Sequence, residues 1–523
     1  MLMWSTPSLI RDWFQRPQTE ILSGLVVAFA MIPEAIAFSG IAGVEPQVGL
    51  FGAFCLSVTI SFVGGRQGMI TSATGSTALL MTGLISNSET RSAGLSYLLI
   101  AGLLAGVLQI LWGFLGLAYQ MRFVPQAVLS GFVNALALLI AQAQFPQLGL
   151  VSQSSGKATN YVLGLAPSGD QLPIVWGLVL LGLLIIYVLP RLTRFIPPQL
   201  VAIIVLTVVS IIFQLEVPTV GDLGKLPSGL PQFANPFGAL ANGRAPFDLN
   251  TLGLVLPTAL AISFVGLLET FLTQDILDDL TDTTSNKNIE ARGQGIANIV
   301  SSFFGGMAGC ALVGQSVMNT ENGGRTRLST MSSGISLLLL ILLARQWLEL
   351  IPMAALVSIM LSIAVSTADL QGIRHIHRIP RSDTAVMLMT FSVTMLTTPH
   401  NLALGVLAGV SLAALLFSRK VAKVIQVSSV DISSSERRYE VSGQLFFVSR
   451  VYFQQGFDLH NHLRKITIDM SHAHIWDQSG VNALDQVVRK LSQRGSLVEV
   501  TGLNNESLNL FERIGKTGKV LSN

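Results

Sequence analysis

Two glutamates stand alone inside long apolar stretches of this 523-residue sequence. Glu34 sits in AFAMIPEAIAFS and Glu269 in AISFVGLLETFLTQ. A charged carboxylate at the centre of a bilayer costs a few kcal/mol on insertion scales, so such residues usually face a cavity and take part in function. Two readings stay open for each: a group that binds a coupling cation or proton, or a protonated, hydrogen-bonded structural group. About 27 residues beyond Glu34 comes Ser61-Phe62-Val63-Gly64-Gly65, and about 33 beyond Glu269 comes Ser302-Phe303-Phe304-Gly305-Gly306. Each leads into a short run rich in Gly, Ser and Thr, at 73–85 and 311–319.

The elements that position these residues follow from composition. Half of the residues are hydrophobic and 12% are charged, against about 25% charged in an average soluble protein. The chain is read as a membrane protein. A net charge of +3 over this length makes no basic field for nucleic acid. Of the 61 charged residues, 24 fall in the last 105. The expected organisation is a cytoplasmic N-terminal segment (1–20), a membrane domain (21–418), a basic linker (419–430) and a soluble domain (431–523). Arg11 and Arg16 at one end, with Arg419, Lys420 and Lys423 at the other, place both termini in the cytoplasm. No signal-peptide cleavage pattern is expected. Trp4, Trp13 and Phe14 suggest either a helix lying on the membrane surface or a frayed tail.

Apolar runs begin near Leu22, Val48, Ala73, Leu95, Val124, Ile174, Leu200, Leu252, Ile296, Ala311, Leu328, Pro352, Ala385 and Leu402, giving roughly 14 segments. Those at 73–85 and 311–319 are too short to cross. Seven segments per half is odd, so the second half enters from the opposite side, as an inverted-topology repeat. Two half-helices would then meet N-terminus to N-terminus near the midplane. Their free N–H groups and partial positive charges make an anion site. Candidate anion-binding residues are Thr74, Gly75 and Ser76 on one side, with Ala311, Leu312, Val313, Gly314 and Gln315 on the other. Thr71, Ser72 and Ser316 add hydroxyls, and Thr77 and Gly309 keep bulk low. The alternative is that these small residues only permit close helix packing.

The stretch from Glu269 to Leu328 resembles the SulP family of anion transporters. Glu269-Thr270-Phe271-Leu272-Thr273 with Asp278 matches one family pattern. Asn288, Glu290, Gly293, Gln294, Gly295 and Asn298 match N-x-E-x-x-G-Q-G-x-x-N, ahead of Gly305-Gly306, Asn319 and the 323–327 turn. Ile32-Pro33-Glu34-Ala35 and the segment 222–231, with Lys225, fit as well. The resemblance implies a polytopic helical fold of seven plus seven segments with a core and a gate domain, a cytoplasmic STAS domain and a homodimer. It implies a multi-pass protein of the bacterial inner membrane that moves a small inorganic anion by alternating access, in an elevator-like or rocking motion. Relatives carry sulfate, bicarbonate, halides or dicarboxylates. Sulfate is expected first and Na⁺-dependent bicarbonate second; an anion channel or sensor, or a nucleobase carrier, are the other readings. Cation coupling, by Na⁺ or H⁺, falls to Glu34, Glu269 and Thr273, with Glu269 the position that Na⁺ would occupy. Many relatives have an Arg where this chain has Gln315, and Ala73 stands where a proline is common.

The soluble end is an α/β pattern. Residues 439–447, 465–468 and 497–500 read as strands and 481–491 as an amphipathic helix. Asp469-Met470-Ser471 and Asp477-Gln478-Ser479-Gly480 resemble STAS motifs, with Gln478 where regulatory relatives carry a phosphorylated serine. His375 and His377 lack further ligands and read as part of a basic cytoplasmic loop. Cys55 and Cys310 lie in apolar runs and imply no disulfide. No nucleotide-binding or hydrolase motif occurs, so the protein is expected to be neither an enzyme nor dependent on a bound cofactor, with membrane lipid as its surroundings.

Overall fold

The computed structural model describes residues 13–14, 16–86, 88, 90–116, 124–150, 167–192, 197–224, 226–236, 248–397, 402–459 and 463–515. Trp4 and Lys225 lie outside the described residues. The chain forms two units, Met1–Gly409 and Val410–Asn523.

Fourteen helices answer the fourteen apolar runs. The first half holds α1 (Pro17–Ala42), α2 (Pro46–Val63), α3 (Gly75–Ser86), α4 (Arg91–Phe114), α5 (Gln126–Gln142), α6 (Leu172–Leu192) and α7 (Pro198–Ile212). The second half holds α8 (Leu249–Thr281), α9 (Lys287–Phe303), α10 (Val313–Glu321), α11 (Arg327–Glu349), α12 (Met353–Thr367), α13 (Arg381–Leu396) and α14 (Leu402–Ala422). Among the described residues, seven of these helices are long and apolar enough to cross a membrane unaided. The halves pack as exchanged copies: α4 lies on α9 as α11 lies on α2. Likewise α8 meets α4 as α1 meets α11, and α13 meets α5 as α6 meets α12.

Two helix starts differ from the sequence reading. Helix α1 begins at Pro17, inside the stretch expected to precede the membrane domain. Proline suits the first helical position because its missing N–H has no acceptor there anyway. Glu20 can be buried because it accepts hydrogen bonds from the Arg325 and Thr326 N–H groups, at 3.1 Å each. Trp13 packs on Phe62 with ring centroids 5.0 Å apart. Helix α9 begins at Lys287, nine residues before the apolar run at Ile296. Hydropathy misses its first half because the buried stripe Glu290, Gln294, Asn298 is polar. At a spacing of four residues these side chains share one helix face.

The first unit holds two three-residue strands, β1 (Thr71–Ala73) and β2 (Gly309–Ala311). In the second unit, the strands β3 (Gln426–Ser433), β4 (Glu436–Leu445), β5 (Lys465–Ile475) and β6 (Leu497–Thr501) form one sheet in that order. The first pairing is antiparallel and the other two are parallel. Helices α15 (Arg450–Gln455), α16 (Gln478–Ser492) and α17 (Asn505–Ile514) accompany it. Tyr439, Phe453, Ile468, Leu484 and Phe511 sit in its core. β3 begins inside the segment expected as a linker, and all but one of its residues are exposed, so burial gave no alternation to read. β5 runs on past Asp469, where a strand end was expected, and its pairing with β4 shifts register opposite Glu440–Ser442. Asp469-Met470-Ser471 is therefore part of an irregular strand. The Ser471 hydroxyl and N–H hold the Asp469 carboxyl below its usual range.

The crossing of α4 and α9 depends on absent side chains. A Cβ on Gly106 would collide with the Gly295 carbonyl, and one on Gly295 with the Gly106 carbonyl. Gly295→Ala should destabilise the protein by about 1–3 kcal/mol, as overpacking does. Gly177→Ala, whose Cβ meets nothing within 4 Å, should leave the thermal midpoint in detergent unchanged or slightly raised.

Candidate anion-binding site

Two three-residue strands cross in the middle of the first unit. The strand Thr71–Ala73 pairs antiparallel with Gly309–Ala311, in the register Thr71↔Ala311, Ser72↔Cys310, Ala73↔Gly309. The Leu312 N–H extends the ladder to the Ile70 carbonyl. Each strand is followed at once by a half-helix, α3 after the first and α10 after the second. Because the strands run in opposite directions, the helices leave opposite ends of a ladder roughly 7 Å long. Both N-termini therefore point back at the crossing. The N–H groups of a helix's first turn have no partner within the helix, and Leu312 supplies no capping side chain to α10. The pair presents two partial positive poles.

Irregular backbone is tolerated at membrane depth only where its polar groups are satisfied. Helix α9 does this with side chains. The Asn298 carboxamide pairs with both sides of Gly309: its Oδ1 accepts the Gly309 N–H at 2.9 Å, and its Nδ2 donates to the Gly309 carbonyl at 3.2 Å. Gln294 Nε2 donates to the same carbonyl at 2.9 Å, while its Oε1 accepts from Thr71. Ser57 donates to the Thr71 carbonyl at 2.7 Å. Thr270 accepts the Ala311 N–H at 3.3 Å. Gly309 must be glycine, since a Cβ would collide with the Ser72 carbonyl.

The outer ends of this frame are tied as firmly. Glu290 Oε2 accepts the Gly65 and Arg66 N–H groups at 2.6 and 2.8 Å. Arg66 pairs with Asp278 at 2.7 Å. Arg327 donates to the Ser61 and Gly64 carbonyls at 2.8 Å each. Asn319 accepts from Ser23 and donates to the Gly68 carbonyl. The polar motifs of α8 to α11 thus hold the segment that carries the first half-helix.

The two lone carboxylates cross-brace the half-helices. Glu269, on α8, accepts from the Ser76 hydroxyl on α3 at 2.7 Å. Glu34, on α1, accepts from the Gln315 carboxamide on α10. Each acidic side chain thus touches the first turn of a half-helix in the opposite repeat. Glu34 and Gln315 are buried, and Glu269 retains partial exposure.

The other candidates divide. Thr74 precedes α3, and its hydroxyl lies 3.1 Å from Ser76, 3.0 Å from Thr77 and 3.2 Å from the Cys310 sulfur. Thr71 and Ser316 brace the ladder, Ser316 by accepting the Ile70 N–H at 2.9 Å. Ala311 and Leu312 belong to the ladder itself. The Thr273 hydroxyl donates to the Glu269 backbone carbonyl at 2.8 Å and not to its carboxylate. At the start of α3, a Cβ on Gly75 would lie 3.1 Å from both Phe38 and Ile140. At the start of α10, Val313 and Gly314 are exposed, and a Cβ on Gly314 would meet nothing within 4 Å. The site is closed at Gly75 and open at Gly314. Sequence reasoning missed Phe38, Ile140 and Cys310. The Cys310 thiol donates to Glu269 Oε2 at 2.8 Å, and no sequence signal marked it, because a three-residue strand has no periodicity to detect.

The sulfate permease family model matches residues 18–390, and the STAS domain model matches 428–521. The chain belongs to the sulfate permease family. Sulfate permeases are transporters and not enzymes, and this one is a multi-pass membrane protein. A putative sulfate transporter of Bacillus subtilis, YbaR, is 43% identical over 97% of this chain and 99% of its own length. The bicarbonate transporter BicA of a Picosynechococcus species is 30% identical over 82% of this chain and 77% of its own length. Among solved structures, the transmembrane domain of a cyanobacterial BicA aligns with TM-score 0.64 at 27% identity, covering 76% of this chain and 98% of that one. Murine Slc26a9 in its inward-facing state aligns with TM-score 0.79 at 16% identity over 98% of this chain and 92% of that one, a likeness of fold.

In this sulfate permease, Asn298→Ala leaves the Gly309 N–H buried without its acceptor, a cost of about 1–3 kcal/mol. Uptake per molecule of reconstituted protein should fall roughly fivefold to a hundredfold. Asn322→Ala, at an exposed residue whose carboxamide donates to the Met318 carbonyl at the end of its own helix, should leave uptake unchanged.

Proposed function

We propose that the protein is a secondary active carrier that takes up sulfate together with protons. The observation that carries this reading is the placing of a carboxylate against the first turn of each half-helix. An anion between the two N-termini draws its stabilisation from the same positive poles that Glu34 and Glu269 face. With both carboxylates charged, substrate and side chains repel; a proton or cation on either restores the field. Gln315, where many relatives carry Arg, leaves the site without that side chain's fixed charge and makes the coupling ion part of charge balance. The choice of proton over Na⁺ rests on Cys310. The Glu269 oxygen that accepts from Ser76 also accepts from a thiol, and hard cations prefer oxygen ligands while sulfur suits soft metals.

The likeness to YbaR supports sulfate. The likeness to BicA supports bicarbonate as the second reading, with Na⁺ at Glu269. Alternating access would move α1–α4 and α8–α11, with their welded strands, as a core against a gate of the remaining helices. Basic residues at both ends, including Arg16 and the cluster Arg419, Lys420 and Lys423, support cytoplasmic termini in a bacterial inner membrane. A homodimer is part of the same proposal.

Radiolabelled uptake into proteoliposomes tests it. Sulfate should accumulate above its external concentration under an inward proton gradient, with no added drive from Na⁺. Glu269→Gln should abolish the response to the proton gradient, while Asp279→Asn, at the exposed end of α8, should not. Bicarbonate accumulation driven by Na⁺ would establish the second reading. Flux that never exceeds equilibration would point to a channel, and binding without flux to a sensor. Undiminished proton-driven uptake by Glu269→Gln would make that carboxylate structural.

A further inference from the structure

Two of the chain crossings between core and gate helices are fastened to each other. Helix α11 leads into α12 through residues 350–352, and α7 leads into α8 through residues 213–248. The Met353 N–H donates to the Pro218 carbonyl at 2.8 Å, and the Val220 N–H donates to the Ile351 carbonyl at 2.9 Å. These two bonds frame one antiparallel bridge between Thr219 and Pro352. Neither flanking pair is bonded twice. Pro218 has no N–H to return, and the Ile351 N–H goes to the Leu348 carbonyl at 3.3 Å. The result is a joint and not a sheet, made by chains that each run from one set of helices to the other.

Beyond the joint, the longer crossing rests on the core. Leu223 is buried beside Gly40 of α1, and Gly224, at φ +150°, lies against Glu45 and Pro46 where α2 begins. The Ala234 N–H donates to the Phe303 carbonyl at the end of α9 at 2.7 Å, and Phe233 stacks on Phe303 with centroids 5.5 Å apart. On the other side, Met353 opens α12, which packs in the gate against α5 and α6. Next to this joint, core and gate meet along a poorly filled seam. Ala37, Gly40 and Ile41 face Gln144, Met353 and Leu356 around a cavity of about 10 Å³. A second cavity of about 10 Å³ adjoins Pro218 and Met353; Gln147 borders both, and its Oε1 is buried without a hydrogen bond. Interiors are normally close-packed with their polar groups satisfied. The seam is weak where the joint is firm.

We propose that the Thr219–Pro352 bridge is the pivot of the transport cycle: it stays made while the seam beside it opens, so the core swings about this point. The inference rests on the alternating access proposed above. Three extended residues span at most roughly 10 Å, so residues 350–352 keep the facing ends of α11 and α12 together in every state. The second crossing, bonded to them, is held at the same point.

Cysteine pairs test this in proteoliposomes, with uptake of whichever anion the assay above finds as the readout. Thr219 and Pro352 form a non-hydrogen-bonded pair, for which a Cα separation of about 4.5 Å is usual, and that spacing suits a disulfide. Oxidised Thr219→Cys/Pro352→Cys should transport as fast as its reduced form. Ala37→Cys/Leu356→Cys, across the seam, should be arrested by a short bifunctional methanethiosulfonate at a dose that leaves the wild type active. Met353→Pro deletes one bond of the joint, and proline suits the first position of a helix. It should slow uptake roughly twofold to tenfold relative to Met353→Ala, which loses the same side chain but keeps the N–H. The oxidised 219–352 disulfide should restore the rate of Met353→Pro. Arrest by both cysteine pairs would overturn the pivot and leave alternating access standing. A seam pair that never reacts while uptake continues would overturn both together. Equal uptake by Met353→Pro and Met353→Ala would overturn the pivot alone.

Discussion

A helix that stops at mid-membrane leaves N–H groups facing a medium that cannot bond them, and the core of this protein is arranged around that problem. Two such ends are brought together, each preceded by three residues of strand, and the strands satisfy part of each other's backbone. What remains is satisfied from outside by carboxamides and hydroxyls on α2, α8 and α9. Polar residues that look misplaced in a membrane helix are the partners of this crossing. Removing the two interrupted segments would leave Gln294 and Asn298 with no reason to be buried.

The same arrangement explains how an acidic site can take an anion. Neither carboxylate is simply near the substrate position. Each is held by a side chain in the first turn of the opposite half-helix, so the charge of the carboxylate and that of the guest act on one electrostatic pole. Under the coupling proposed above, loading would be tied to neutralisation through position alone. The two helix starts differ in the room around them: Phe38 and Ile140 close the Gly75 side, while Gly314 faces open space.

Much of this was legible in the residues. The short runs rich in Gly, Ser and Thr, and the two lone glutamates, gave the inverted repeat and the opposed helix ends, because burying charge or broken helix in lipid is costly enough to leave a mark on composition. The pairing of Thr71 with Ala311 was not legible, since a three-residue strand has no periodicity to detect and its partner lies more than two hundred residues away. The start of α9 was hidden for a related reason: hydropathy measures transfer to lipid, and Glu290, Gln294 and Asn298 are transferred to protein backbone. The resemblance to sulfate permeases drew attention to those positions, but only the geometry shows what they bond. In the α/β domain, the exposed β3 and the irregular β5 escaped a reading that depends on clean alternation.

The ladder between the two repeats also constrains how the molecule is made. The first half contributes Thr71–Ala73 early, yet its hydrogen-bonding mate is not synthesised until Gly309–Ala311. At ribosomal rates of about 5–20 residues per second, that interval lasts roughly 10–50 s. Throughout it the nascent N-terminal half carries an unsatisfied extended segment that lipid cannot accept. The insertion machinery, or water beside it, must shelter that segment until the second half arrives, so biogenesis has to wait for a strand three residues long.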